Sequence, residues 1–336
     1  MPARLKVAAI SLLLLLAGAC SPGSGPQSPH AADYPEFAKW LEHVAATAAD
    51  SRARLTAERV ATSAEALYSL DQKRLRELLA EDFIQHNPML EGGRDGLLSI
   101  SGADAAPRGG GVNLMAGTAH VLVDGDRAVI HRMGKLGPLA TVNFDVLRFD
   151  DLGQLAEQWN FVQPIAAGLA ENLLFSLVVP RPLDLIPAQH PSGGALSGDR
   201  PGFATPYTAT VQQSEANKTL VLSYLTQLGG GAEPSELAAY LDPEFVLHAP
   251  GMAPGRQAWL ELLGRSRRRG AAPVVVMALA QNDLVWVLGK LAQIPEEDIP
   301  ELAAADLFRV RDQQIVEQWR LVQPSPRFSR NSNGLF

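Results

Sequence analysis

The stretch EQWNFVQP at residues 157–164 returns as EQWRLVQP at residues 317–324, with six of the eight positions identical. Upstream of these blocks, FIQHNPMLEGGRDGLL (83–98) aligns without a gap on FVLHAPGMAPGRQAWL (245–260). Between them, Asp145-Val146-Leu147-Arg148 matches Asp306-Leu307-Phe308-Arg309. Three blocks in one order, about 160 residues apart, read as a tandem duplication, and an internal repeat decides the fold before any single element does.

Each copy opens on helical periodicity, roughly 50–80 in the first and 215–241 in the second. A short strand through Phe83 or Phe245 follows and ends at a His-x-Pro turn, where proline disfavours helix. A short helix is expected after Gly93-Arg94 and after Gly255-Arg256. Strands are then expected at Thr118–Val123, Arg127–Gly134 and Val142–Phe149, with a closing strand over Gln158–Gln163. Asp124-Gly125 is a good hairpin turn. Helices first and an antiparallel sheet after is the α+β order, not alternating βαβ.

The blocks divide the chain into a leader (1–19), a tether with a leading helix (20–50), a first unit (51–166), a linker (167–214), a second unit (215–328) and a tail (329–336). The linker carries Pro180, Pro182, Pro187, Pro191, Pro201 and Pro206 among glycines and serines, although Leu173–Val179 is apolar enough to pack on a unit. The stretch Tyr34–Ala57 reads as helix and is expected to cap the first unit.

In the leader, Arg4 and Lys6 precede an apolar run, Val7–Leu16, that is too short to span a bilayer. Small residues then lead to Cys20, the sole cysteine of the 336 residues. A cysteine after small residues resembles the lipobox of bacterial lipoproteins, with Ala17 where leucine is usual. That resemblance implies cleavage before Cys20, acylation of its thiol and a lipid-anchored protein of the bacterial cell envelope, facing the periplasm or exterior. An ordinary secretory signal with a chance cysteine is the plainer reading. Loss of residues 1–19 removes Arg4 and Lys6 and no acid, taking the formal charge from −7 to −9. An acidic chain lacks the basic field that nucleic-acid binding needs. One cysteine excludes intrachain disulfides and Cys-rich metal sites.

The segments FIQHNP…GRDGL and FDVLRFDDLGQLAEQWNFVQP resemble the SnoaL-like, polyketide-cyclase-like branch of the nuclear-transport-factor-two-like superfamily. The resemblance covers about 115 residues in each copy. It implies two cone-shaped α+β units, each a strongly bent antiparallel sheet wrapped on its N-terminal helices around an apolar pocket. Family members include cyclases using aldol-type chemistry and isomerase-like enzymes, beside proteins that bind without catalysing. The implied acid/base residue is the aspartate of the Asp-x-x-Arg block.

Read residue by residue, Asp145 shares a strand face with Leu147 and Phe149, as Asp306 does with Phe308 and Val310. Burial there would raise a carboxyl's pKa and suit it to proton transfer. A structural role, bonded to backbone or an arginine, fits equally. Glu157, Trp159, Phe161 and Gln163 share a face of the closing strand, and a tryptophan beside polar groups can stack on a flat ligand or simply fill a core. His86 and His248 stand at the expected pocket mouth. His120 and His131 face each other if the hairpin loop is Gly125-Asp126, and Trp286 aligns with His131 in the second copy.

The expected catalytic set is therefore Asp145, His86 and His131. The expected ligand-binding set is Trp159, Asn143 and Glu157, with Asp306, His248 and Trp319 in the second copy. No metal and no cofactor is expected. The expected chemistry is cofactor-free acid/base catalysis on a small hydrophobic carbonyl compound. The alternative is a non-catalytic envelope lipoprotein that binds a hydrophobic ligand or a protein partner, its units pairing with each other or forming homo-oligomers. The arginine run Arg265–Arg269, interrupted by Ser266, reads as a solvated surface, with anionic lipid headgroups a weaker alternative.

Overall fold

A computed structural model describes residues 35–101, 118–136, 139–165, 205–249, 252–267, 273–292, 300–326 and 328–336. Cys20, the leader, Leu173–Val179 and most of the linker lie outside the described residues. Among the described residues no helix is long and apolar enough to cross a membrane.

Helix α1 (Pro35–Ala46) is followed by α2 (Ser51–Ser69), which Asp50 caps by accepting from the Ala53 amide. The helical pattern of 50–80 breaks at Leu70, which takes a left-handed conformation (φ 52°), and Asp71 caps α3 (Gln72–Leu78) in turn. Strand β1 (Leu79–Gln85), helix α4 (Gly93–Ser99) and strands β2 (Thr118–Asp124), β3 (Arg127–Leu136), β4 (Leu139–Phe149) and β5 (Leu155–Ile165) complete the first half. The second half repeats the order. It runs α5 (Val211–Gly229), α6 (Pro234–Leu237), a 3-10 turn, β6 (Leu241–His248), α7 (Arg256–Arg267), β7 (Pro273–Gln281), β8 (Leu284–Leu291), β9 (Leu302–Arg311) and β10 (Gln314–Pro324).

The strands form two five-stranded sheets of matching order, β1-β5-β4-β3-β2 and β6-β10-β9-β8-β7. Both sheets are mixed, which corrects the expectation of purely antiparallel ones. β1 runs parallel to β5 and β6 parallel to β10, while every other pair is antiparallel. The cause is topological: the antiparallel run of four strands from β2 to β5 ends beside β1, so β1 meets β5 across a long connection and not a hairpin.

Two local features reach into the site. The β2–β3 loop is Gly125-Asp126, with Asp124 paired to Arg127, so the hairpin is offset by one from an Asp124-Gly125 turn. Gly125 supplies the positive φ (58°) there. The Gly-Arg block is a clamp: Arg94 and Arg256 donate to the carbonyls of Arg76 and Ala238, at the ends of the preceding helical segments.

Strand parity sorts the core. In the second half Val285, Val287, Phe308 and Val310 pack with Val221, Tyr224 and Trp259 of its own helices. The alternate positions Trp286, Leu288, Ala305, Leu307, Trp319 and Leu321 join the cluster that contains Phe144, Val146 and Phe161 of the first half. The halves thus share a packed layer. Paired equivalents close it: Gln163 accepts from the Val322 amide (2.8 Å) and Gln323 from the Val162 amide (2.9 Å). Helix α1 bridges the same seam, because the Val44 carbonyl and Thr47 hydroxyl both accept from Gln281 of β7.

Candidate functional site

Asp145 on β4 is 2% exposed and faces α2. Its Oδ2 accepts from the Tyr68 hydroxyl at 2.8 Å and from Arg132 Nε at 2.6 Å, and its Oδ1 accepts from Asn160 Nδ2. Arg132 lies over the Tyr68 ring, 4.7 Å from its centroid. Burial alone would lower the Arg132 guanidinium, but the Asp145 carboxylate and Tyr68 reverse this and hold it above the usual arginine range. Burial, then the adjacent Asp145 charge, pushes the Tyr68 phenol well above its ordinary value, so it stays a donor. Asn143 shares this face and donates to Thr141 Oγ1 at 3.0 Å.

The second half meets the same need from the other side. Ile130 and Val287 pair with the two aspartates, so Gly289 takes the place of Arg132, two residues on. Arg320 takes the place of Asn160, since both pair with their aspartate across the sheet. Arg320 Nη1 donates to both Asp306 oxygens (3.3 and 3.2 Å), and Gln318 donates to Oδ1 at 2.8 Å. Burial raises the Asp306 carboxyl, and Arg320 and Gln318 oppose that rise. Each aspartate therefore has a guanidinium, delivered by β3 in one half and by β10 in the other.

The remaining predicted residues stand on the opposite face. Phe144, next to Asp145, pairs with His131, so His131 points away from Asp145 and toward the second half. His131 and His120 meet at 3.0 Å through their Nδ1 atoms, as the Gly125-Asp126 loop requires. The register also shows that Leu288, not Trp286, occupies the place of His131. His86 bonds Glu157 Oε1 at 2.7 Å, Arg148 Nε donates to Glu157 Oε2 at 2.7 Å, and the His86 ring stacks on Trp159 at 4.6 Å. His248, Glu317, Arg309 and Trp319 repeat this cluster, with His248 stacked on Trp319 at 4.9 Å.

The three repeated sequence blocks thus converge on a His–Glu–Arg–Trp knot in each half. His86 is further closed off by the C-terminal segment, whose Gly334 carbonyl lies 3.2 Å from Nδ1. Asp145 and Asn143 are brought together; His86, Glu157 and Trp159 form a second group; His131 belongs to a third. Tyr68, Arg132 and Asn160 were missed. Arg132 is within reach of strand parity once the β3–β4 register is known, whereas nothing local marks Tyr68, which lies 77 positions from Asp145.

A cavity of about 820 Å³ opens on the second half between α6 and α7, lined by Pro234, Ala238, Arg256, Leu260 and Glu261, and touches neither aspartate. Among the described residues no group of three His, Cys, Asp or Glu side chains could hold a metal ion.

No family model matches the chain, and no curated protein sequence matches it. Among solved structures, an NTF2-like protein of unknown function from Mesorhizobium loti is similar at 18% identity and a TM-score of 0.30, over 35% of this chain and 99% of that one. A candidate ketosteroid isomerase from Kribbella flavida is similar at 18% identity and 0.29, over 34% of this chain and 82% of that one. IdmH, a candidate polyketide cyclase from Streptomyces antibioticus, is similar at 19% identity and 0.27, over 32% and 91%.

Proposed function

We propose that the chain is a lipid-anchored protein of the bacterial cell envelope, built of two tandem SnoaL-like units whose sheets curl around their helices, and that it binds a small hydrophobic molecule without turning it over. The binding position is the Asp145–Arg132–Tyr68–Asn160 cluster of the first unit, with Cys20 as the anchor. The observation that carries this reading is the compensation of Asp145. Its carboxylate takes donors from an arginine, a phenol and an amide. A base so engaged gives up strong charge-assisted bonds before it can accept a proton. The arrangement suits an anchor that orients a polar tip on an apolar ligand.

A second reading, cofactor-free acid/base catalysis on a carbonyl compound, is favoured by the direct contact of the Tyr68 phenol with Asp145. A phenol held protonated is a competent donor to a carbonyl oxygen. In either reading His86 and His131 do not act beside Asp145.

The test is native mass spectrometry of the mature protein purified from membranes, with Cys20→Ser and Asp145→Asn variants alongside. The expected result is a hydrophobic small molecule on the wild type that is lost from Asp145→Asn, and release of Cys20→Ser from the membrane fraction. Equal occupancy in Asp145→Asn would overturn the binding site. Conversion of a carbonyl substrate by wild type but not by Asp145→Asn would establish the catalytic reading instead.

A further inference from the structure

We propose that His120 and His131 form an acid-sensing lock between the two halves, in which uptake of one proton breaks either the bond within this pair or its bond to Arg309 and so loosens the packing of the first sheet on the second. The argument is one of donors and acceptors. Arg309 of β9 can only donate, so His120 Nε2, 3.1 Å from Arg309 Nη2, must accept. A neutral His120 then carries its proton on Nδ1 and donates to His131 Nδ1 at 3.0 Å. The proton of His131 is left on Nε2, which is buried and has no partner among the described residues.

Each bond in the chain has a single permitted direction. A proton added to His131 falls on Nδ1 and meets the Nδ1 proton of His120 head to head. If His120 moves its own proton to Nε2, that proton meets Arg309. One added proton therefore breaks either the His–His bond or the bond across the seam.

Among the described residues, these groups surround the pair. Arg309 from β9 is the cation in contact with the pair, and it forms ion pairs with Glu317 of β10 and Asp283 beside β8. His248 of β6 shares Glu317. Trp40 of α1, with His43 beside it, packs on His120, while Trp319 and Phe144 pack on the pair from β10 and β4. Burial first, then His120 and His248, push His131 well below the ordinary value of 6.5. The open form, with ordinary histidines, then binds more protons than the closed form below about pH 6.5. Closure is complete above that pH and is lost as pH falls below it.

The second half supplies an internal control. By register, Met277 and Leu288 stand where His120 and His131 stand in the first half. The sheet does not require imidazoles at these places, and burying polar rings in an apolar layer is unfavourable without a compensating role.

The experiment is hydrogen exchange on the full mature chain between pH 8 and 5, corrected for intrinsic rates, read at the Val162 and Val322 amides that bond across the seam. Wild type is expected to lose protection by up to about tenfold per pH unit once one proton is taken up. The His120→Met/His131→Leu variant is expected to keep a flat profile. Parallel profiles in the two proteins would overturn the lock. If the double variant fails to fold, histidine NMR of the wild type decides. Titration of His120 or His131 in step with the loss of protection supports the lock, and titration with protection unchanged overturns it.

Discussion

At Asp145 the chemistry is set by what stands opposite each oxygen. The carboxylate is almost fully buried, and Arg132, also buried, is its counter-charge. Removing one member of such a pair is far worse than removing both, because the survivor is left charged in a low-dielectric site. Arg132→Met is therefore expected to destabilise the fold by about 3–5 kcal/mol in urea titration. Arg132→Met with Asp145→Leu should recover much of that loss. A single variant as stable as wild type would mean that the pair is not a structural unit. The burial of Asp145 is legible in the sequence, since alternation alone places it among apolar side chains. Its partners are not, because they come from a helix, a hairpin partner and the closing strand, each fixed by long-range register. The β3–β4 register, which pairs Ile130 with Asp145 and His131 with Phe144, is what separates His131 from Asp145, because successive residues of a strand face opposite sides.

Among the elements, the last residues behave least as their composition suggests. Ser329 to Phe336 read as a polar tail, yet they strap the second half to the His-Asn-Pro turn of the first. The Arg330 amide donates to the Pro88 carbonyl at 2.8 Å, Asn331 to the carbonyls of Asn87 and Leu90 at 2.8 and 2.9 Å, and Asn333 to that of Gln85 at 2.8 Å. Leu335 is 4% exposed in the shared core. Deleting residues 329–336 is expected to lower stability by at least the roughly 1.5–3 kcal/mol of burying one leucine. It should also raise exchange at the 85–91 turn. An unchanged denaturation midpoint would show the strap to be idle. The helices, strands and hairpins themselves were largely legible, because apolar periodicity and Gly, Pro and Asp signals are local. The strap was not, since asparagine side chains bonding carbonyls some 240 positions away leave no local pattern.

For the whole molecule the repeated blocks announce two units, but they do not announce that the units share a core. Residues facing the seam follow the same alternation as residues facing a unit's own helices, so burial by a neighbour and burial by the same unit look alike in sequence. Trp286 and Trp319 are 0% and 1% exposed, and the first half covers part of both through Phe144, Phe161 and the His120–His131 pair. A buried tryptophan removes ~150–250 Å² from water, which at ~25 cal/mol per Å² is roughly 4–6 kcal/mol each. A second half produced alone would return part of that area to solvent, together with Leu288, Ala305 and Leu321. Exposed apolar area of that extent drives association. Residues 205–336 produced alone are therefore expected to form dimers or larger species in light scattering after size exclusion. Produced together with residues 35–165, they should instead give a one-to-one complex, because Gln163 and Gln323 each complete a bond that the other half leaves open. A monodisperse, fully folded monomer of residues 205–336 at micromolar concentration would show that the shared layer is dispensable, and that each unit is stable without the other.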